Sequence, residues 1–299
     1  MKLSQEKIGE LLIFIEIFLY AFSPILIKGS ENFLPPLFFA GSSMLIAFIF
    51  LFIIIIWQKK ITLKLNFDLF KNMFWGAFFL MIIYFPLQFI IGQKITAGNL
   101  AILCQSEVLF SFLFFGILKI EKITRDRAIG ALLTIVGTSL VLWSNFSGQI
   151  LAWDLMIIMI SVIPSFGNFF QKKTIQSISP TAYLCFRNLL GASLLIPFSL
   201  YNEKIPWENI FSQNGLLLII FSGIISFSLA KILFLEAIKR IDVSKALAIS
   251  NIMPAISFLF AFLFLNEIPH WGQLIGFLII FSGILFLTKK IDKIREQGA

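Results

Sequence analysis

Charge and reactive side chains are scarce in this chain. Only 13% of its 299 residues are Asp, Glu, Lys or Arg; there is one histidine, His270, and there are two cysteines, Cys104 and Cys185. A His/Cys transition-metal site needs three or four ligands, so none is expected. Both cysteines fall inside apolar runs and read as buried free thiols. Neither G-x-x-x-x-G-K-[ST] nor G-x-S-x-G occurs, which removes the usual warrants for ATP drive and for acyl transfer. An intramembrane enzyme would have to work with carboxylates alone. The expectation is a protein that is not an enzyme and holds no cofactor.

Apolar residues fill the space that charge leaves. They make up 59% of the chain, Phe alone accounts for 37 positions, and the mean hydropathy is +0.94. A soluble domain lacks the polar residues to cover so much apolar surface. The solvent implied is a bilayer. The start, "MKLSQEKIGELLIFIEIFLYAF", is basic and then apolar, but Glu10 and Glu16 interrupt it and no small-x-small cleavage site follows. It reads as a first membrane helix rather than a removed leader.

A membrane helix needs roughly 20 mostly apolar residues. Such runs lie near 8–27, 34–57, 72–92, 97–118, 127–144, 152–171, 180–200, 214–236, 244–266 and 270–288. The fold class expected is therefore an all-α polytopic membrane protein with ten transmembrane helices. Orientation follows from the links. With a cytoplasmic N-terminus, the inner side holds Lys2 and Lys7; Lys59, Lys60, Lys64 and Lys71; Lys119, Lys122, Arg125 and Arg127; Lys172 and Lys173; Lys239, Arg240 and Lys245; and Lys289, Lys290, Lys293 and Arg295. The outer side holds Lys28, Lys94 and Lys204, so the split is 19 to 3 of the 24 basic residues. Both termini are expected in the cytoplasm. The net charge of +8 is thus a topology signal and not a nucleic-acid surface.

The chain matches itself when slid by 146 residues. Glu121 meets Glu267, Gly130 meets Gly276, Gly137 meets Gly283, and "SFL" at 111–113 meets "SFL" at 257–259. Two units are expected, 1–146 and 147–299, with five spans each. Five is odd, so the second unit must enter the bilayer inverted. Inverted repeats are the build of many secondary transporters, with the substrate near the midplane between the halves.

The segments "SEVLFSFLFFGILKIEKITRDRAIGALLTIVGTSLVL" (106–142) and "NIMPAISFLFAFLFLNEIPHWGQLIGFLIIFSGILFL" (251–287) resemble the paired signatures of the EamA family of the drug/metabolite transporter superfamily. The second copy carries Pro254, Glu267, Gly276 and Gly283. The first carries Glu121, Gly130 and Gly137, with Val108 where the proline is usual. The resemblance implies ten spans in two halves in the cell membrane (a bacterial inner membrane), and movement of amino acids, related metabolites, toxic analogues or drugs, with export favoured. Many members carry an Arg early in the second helix. Here Gly41 and Ser42 stand there, whereas the matching Arg187 is present in the second half.

Four ionisable residues lie deep in the spans. Glu107 is about ten residues from either end of the fourth span; Glu16, Arg187 and Lys231 are about seven residues, or roughly 10 Å, from a helix end. Unpaired, such charges cost on the order of 10 kcal/mol together. They are expected to face the bundle interior, where Arg187 or Lys231 holds a substrate carboxylate and Glu107 or Glu16 holds an ammonium or a coupling proton. The alternative is interhelical ion pairs that set helix register. Softer candidates for the same substrate path are Tyr84 and Gln88, which share a face at i, i+4, together with Asn168, Ser228 and Asn251. Gly130, Gly137, Gly276 and Gly283 form stripes suited to close helix contact. Pro24, Pro86, Pro164, Pro197 and Pro254 fall inside spans, where they permit kinks.

The function expected is secondary transport of a small polar metabolite by alternating access, with amino acids or their relatives favoured. The partners expected are a small-molecule substrate, membrane lipid and, as a candidate coupling ion, protons, in a protein that can act as a monomer. A lipid or carrier-lipid flippase and a drug exporter of the same fold are the alternatives. A purely structural subunit has no use for four interior charges.

Overall fold

The computed structural model describes residues 4–58, 66–117, 125–144, 148–241, 246 and 249–288, and no strand occurs among them. Seven helical segments are long and apolar enough to cross a membrane: Gln5–Gly29, Pro36–Trp57, Phe67–Gly92, Ala97–Phe114, Leu151–Thr174, Pro180–Asn202 and Gln213–Ala237. Three shorter apolar helices, Ala128–Trp143, Met253–Leu265 and Trp271–Phe286, fall on the fifth, ninth and tenth expected runs. Several helices begin where a short polar side chain accepts an orphan backbone N–H. Ser4 accepts from Lys7, Asn66 from Leu69, Thr96 from Asn99, Ser179 from Ala182 and Ser212 from Gly215.

Most segments are not single helices. The first is α1 (Gln5–Tyr20) and α2 (Phe22–Gly29), joined at Ala21; the second is α3 (Pro36–Gln58). The third is α4 (Phe67–Ala77), a π-helical stretch Phe78–Tyr84, and α5 (Phe85–Gly92). The fourth is α6 (Ala97–Leu103) and α7 (Ser106–Ile117), broken at Cys104 and Gln105, and the fifth is α8 (Arg125–Ser144). The second half repeats this plan. It has α9 (Gly148–Ile160) and α10 (Ile163–Thr174), then the unbroken α11 (Pro180–Asn202) and a short turn, α12 (Trp207–Ile210). The eighth segment is α13 (Gln213–Phe221), a π-helical stretch Ser222–Leu229, and α14 (Ala230–Ala237). A break at Asn251 and Ile252 precedes α15 (Met253–Leu265), and α16 (Trp271–Thr288) ends the described chain.

The prolines explain several interruptions. Pro86, Pro164 and Pro254 each sit in the first two residues of a half-helix, where the missing N–H costs nothing. Pro24 lies just after the Ala21 joint, and Pro197 lies inside the unbroken α11. The fourth segment breaks without a proline, at the place where Val108 stands for one. The two π-helical stretches occupy equivalent positions in the third and eighth segments. Single π turns inside helices free a backbone carbonyl and mark functional sites.

Two pairs of equivalent helices from the two halves pack antiparallel. In α8 and α16, a Cβ built on Gly137 would lie 2.7 Å from the Gly276 carbonyl oxygen, and one on Gly283 would lie 2.7 Å from the Gly130 oxygen. The glycine stripes thus let two backbones touch. In α3 and α11, Gly41 faces Ile196 and Met44 faces Gly191. The position that an Arg usually fills is therefore taken by a backbone contact with α11, which a side chain at residue 41 would push apart.

One end of the bundle carries Lys28, Lys94 and Lys204. There the Lys28 ammonium bonds the Gln93 carbonyl, and the Glu203 carboxylate caps α3 through Leu37 and Phe38. The other end carries Lys7, Lys71, Lys172, Lys239 and Arg240. Between the ends the exterior is apolar, with Phe52, Ile53, Leu132, Phe198, Leu263 and Leu278 exposed.

Candidate functional site

The interrupted segments bring their polar residues to one region at mid-depth. Breaking α6 from α7 puts Glu107 in the first turn of α7, where the helix dipole favours a carboxylate. Its Oε1 accepts a bond from the Asn168 amide of α10 at 2.8 Å. Glu16, on α1, is 5% exposed. Lys231, at the start of α14, lies with its ammonium 3.4 Å above the centre of the Tyr20 ring. This ammonium is in Coulombic reach of Glu16, Glu107 and Arg187. Lys231 is a cation within Coulombic reach of both carboxylates.

Arg187, on α11, is 2% exposed. One guanidinium nitrogen, Nη1, donates to the Gln171 side-chain oxygen at 2.9 Å, and the Tyr183 ring is 5.9 Å away. Nε and Nη2 make no hydrogen bond of ordinary geometry among the described residues, and the Tyr183 hydroxyl is near enough to interact with the guanidinium. Buried donors without acceptors cost about 1–3 kcal/mol each, a cost that a bound ligand or water removes.

Tyr84 and Gln88 share a face, as their spacing requires. The Gln88 amide donates to the Tyr84 hydroxyl at 3.3 Å and to the Cys104 thiol at 3.3 Å, and Tyr84 reaches Cys104 at 3.8 Å. Gln88 Oε1 meets no donor among the described residues. Cys104 sits at the break of the fourth segment, within Coulombic reach of Glu107.

Two candidates are placed differently. The Ser228 hydroxyl donates to the carbonyl of Gly223, five residues back in the π-helical stretch, at 2.9 Å, and lies 3.5 Å from the Ala47 carbonyl. The hydroxyl thereby satisfies backbone freed in the π-helical stretch, between α3 and the eighth segment. Asn251, at the break before α15, is 2% exposed. Its amide nitrogen has no acceptor among the described residues, so that amide does not tie it to the charged group.

A second polar group escaped the sequence reading. Asp154 lies at the start of the sixth apolar run, yet it is fully buried. The Asn99 amide donates to its Oδ2 at 2.9 Å, the Gln273 amide donates to Asn99 at 2.5 Å, and the His270 backbone N–H donates to Gln273 at 2.8 Å. All donors point the same way, toward Asp154. Beside this chain, Glu267 accepts from the backbone N–H groups of Ala97 (3.1 Å) and Gly98 (3.3 Å), capping α6. Asn266 makes this reach possible by taking the left-handed conformation (φ 55°) that ends α15. Glu121, the sequence mate of Glu267, lies outside the described residues.

An apolar, internally duplicated helix bundle around a buried group of opposite charges is the architecture of a membrane transporter. Comparison with known proteins carries this to a family. The profile of the EamA-like transporter family matches residues 7–143 and again 151–289. The chain belongs to the EamA-like transporter family and is a multi-pass protein of the cell membrane. It is 21% identical over 277 residues to YoaV of Bacillus subtilis, named an uncharacterized transporter, covering 90% of this chain and 93% of that one. It is 21% identical over 270 residues to a probable amino-acid metabolite efflux pump of Salmonella typhimurium, covering 87% and 88%. A solved crystal structure superposes with a TM-score of 0.71 at 18% identity over 94% of this chain and 97% of that one, a likeness of fold.

Proposed function

We propose that the chain is a secondary transporter of small zwitterionic metabolites, amino acids or close relatives, working by alternating access in the direction of export. In this reading ten helices cross the bilayer in two inverted units, 1–146 and 147–299, with both termini in the cytoplasm. The observation that carries it is that Arg187, which has two buried N–H nitrogens to spare, and the Glu16 and Glu107 carboxylates all lie within reach of one buried ammonium, that of Lys231. A substrate carboxylate completes the guanidinium. A substrate ammonium sits by the two acids. Tyr84, Gln88 and Cys104 bond to one another, with Cys104 within Coulombic reach of Glu107. Half-helices meeting at mid-depth supply helix ends and hinges to such a site. The name of the Salmonella relative points to the same substrate class.

The test is a thermal-shift screen of the purified protein against amino acids, their amides and their decarboxylated amines. A ligand of the folded state raises Tm by mass action. Zwitterions are expected to stabilise the wild type, and Arg187→Gln is expected to lose that shift. Stabilisation by amines alone, or by lipid-linked compounds alone, overturns the zwitterion reading. Flux in proteoliposomes with Glu107→Gln then decides the coupling. If a pH gradient drives wild type and variant equally, Glu107 carries no proton.

A further inference from the structure

Lys231 is surrounded in a way that an ordinary ion pair does not require. Two carboxylates, Glu16 and Glu107, lie within Coulombic reach of its ammonium. Yet among the described residues no carboxylate oxygen comes within ion-pair distance of Nζ. The ammonium instead lies 3.4 Å over the Tyr20 ring. The ring face carries the negative end of the aromatic quadrupole and holds ammonium groups well where water is scarce. Glu16, at 5% exposure, and Glu107, held through one oxygen by Asn168, flank it from α1 and α7. From α11 the facing charge is Arg187, and from the fourth segment the remaining titratable neighbour is the Cys104 thiol.

We propose that the face of Tyr20, with Glu16 and Glu107 beside it, is a binding site for a primary ammonium group, and that Lys231 fills it as a tethered stand-in whenever substrate is absent. This rests on the transport reading above and deepens it. Lysine suits the part, because its charge is a compact ammonium on a flexible four-carbon stem. An incoming substrate ammonium meets the same ring and the same two acids, and the Lys231 head swings away as it seats. When substrate leaves, the head returns. The two buried carboxylates are therefore never left without a cation, and the empty carrier can rearrange without exposing them to the low-dielectric interior uncompensated. Sequence position offers Lys231, like Arg187, as a holder of substrate carboxylate or a member of an interhelical ion pair. The ring and the two acids around it assign it the opposite role.

The experiment empties the site and refills it. In Lys231→Ala, with the full-length protein in detergent, ethylammonium is expected to raise Tm by about 2–4 °C at ten times its dissociation constant. Wild type and Lys231→Arg, whose own cations occupy the ring, are expected to show no such shift. Propan-1-ol, neutral and of similar size, and potassium chloride at equal ionic strength serve as controls. Adding Tyr20→Leu to Lys231→Ala is expected to abolish the response, whereas Tyr20→Phe keeps it. Equal shifts in wild type and Lys231→Ala, or none in either, overturn the proposal, as does a response that survives Tyr20→Leu.

Should Lys231→Ala fail to fold, Lys231→Met keeps the length of the side chain without its charge. A double-mutant cycle then compares Tyr20→Leu with Tyr20→Phe, first with Lys231 in place and then in combination with Lys231→Met. The stability gap between Leu and Phe must shrink when the lysine charge is gone; an unchanged gap also overturns the proposal. Both arms read an ammonium probe or stability, not metabolite binding. A failed metabolite screen with a positive ethylammonium response refutes the substrate class and leaves the cation site standing.

Discussion

Gly137→Ala tests the contact that holds the two halves together. A Cβ at residue 137 would meet the Gly276 carbonyl oxygen and the Ile280 Cγ1 at 2.7 Å and the Ile280 backbone nitrogen at 2.9 Å. Two of these atoms are backbone and cannot turn aside. Restoring ordinary contact requires α8 and α16 to part by about 0.7 Å, and a gap of that size forfeits roughly a quarter to a half of each dispersion well. Taking about 40 atom pairs across the crossing at about 0.15 kcal/mol each, the loss is about 1.5–3 kcal/mol. No hydrophobic term offsets it, because lipid is as apolar as the partner helix. Replacing glycine in a helix returns up to about 1 kcal/mol of propensity. The net expectation is a destabilisation of about 1–2 kcal/mol, read as a lowered midpoint in equilibrium unfolding by SDS in mixed micelles. Gly29→Ala is the control, since its Cβ would meet only Leu265 Cδ2 at an ordinary 3.5 Å. If Gly137→Ala is as stable as Gly29→Ala, the two backbones do not touch as described and the antiparallel pairing of the halves loses its main support.

Asp154→Leu should cost about 1–3 kcal/mol of stability, because it removes the acceptor at the end of the Asn99–Gln273 chain and leaves a buried amide unpaired; an unchanged unfolding midpoint would show the chain to be ornamental. Glu267→Ala strips the cap from α6 and should cost about 1 kcal/mol, with faster amide exchange at Ala97 and Gly98 than at Leu100; uniform exchange along α6 would contradict the capping. Glu203 titrates outside the spans. Burial raises its carboxyl above the ordinary value, against the pull of the Leu37 and Phe38 N–H groups. With the folded-state value the higher one, the folded protein binds the proton first. Stability from this group is therefore greatest at low pH and is lost as pH rises from the ordinary carboxylate range through the raised value. The Tm of Glu203→Gln minus that of wild type should accordingly increase across that window; a difference that shrinks has the wrong sign.

Much of this architecture is written in local pattern. Each apolar run becomes a helix because a bilayer allows no unpaired backbone, and i→i−4 bonding satisfies it within one segment. The duplication shows because Glu and Gly are rare enough here for matched spacing to carry weight. The glycine stripes are legible for the same reason, and both stripes lie at the α8–α16 contact. Intramembrane Glu16, Glu107, Arg187 and Lys231 stand out in sequence because charge in lipid is costly.

Other features depend on what each residue faces, which no one-dimensional pattern contains. Asp154 looks interfacial by position, yet lies fully buried against Asn99, which comes from a distant segment. Ser228 shares a face with Lys231 by spacing, but a π-helical stretch turns its hydroxyl onto Gly223. Two such stretches have no signal in composition, and the fourth segment breaks at Cys104 and Gln105 without the proline that marks the ninth. Hydropathy and rarity belong to single residues and their spacing, and they suffice for the membrane environment, the helical class, the duplication and the identities of the buried charges. Folding had to be seen before it was plain which charges share a neighbour, which donors stay unpaired and that Lys231 rests on the ring of Tyr20. Those are distances between helices, and only packing sets them.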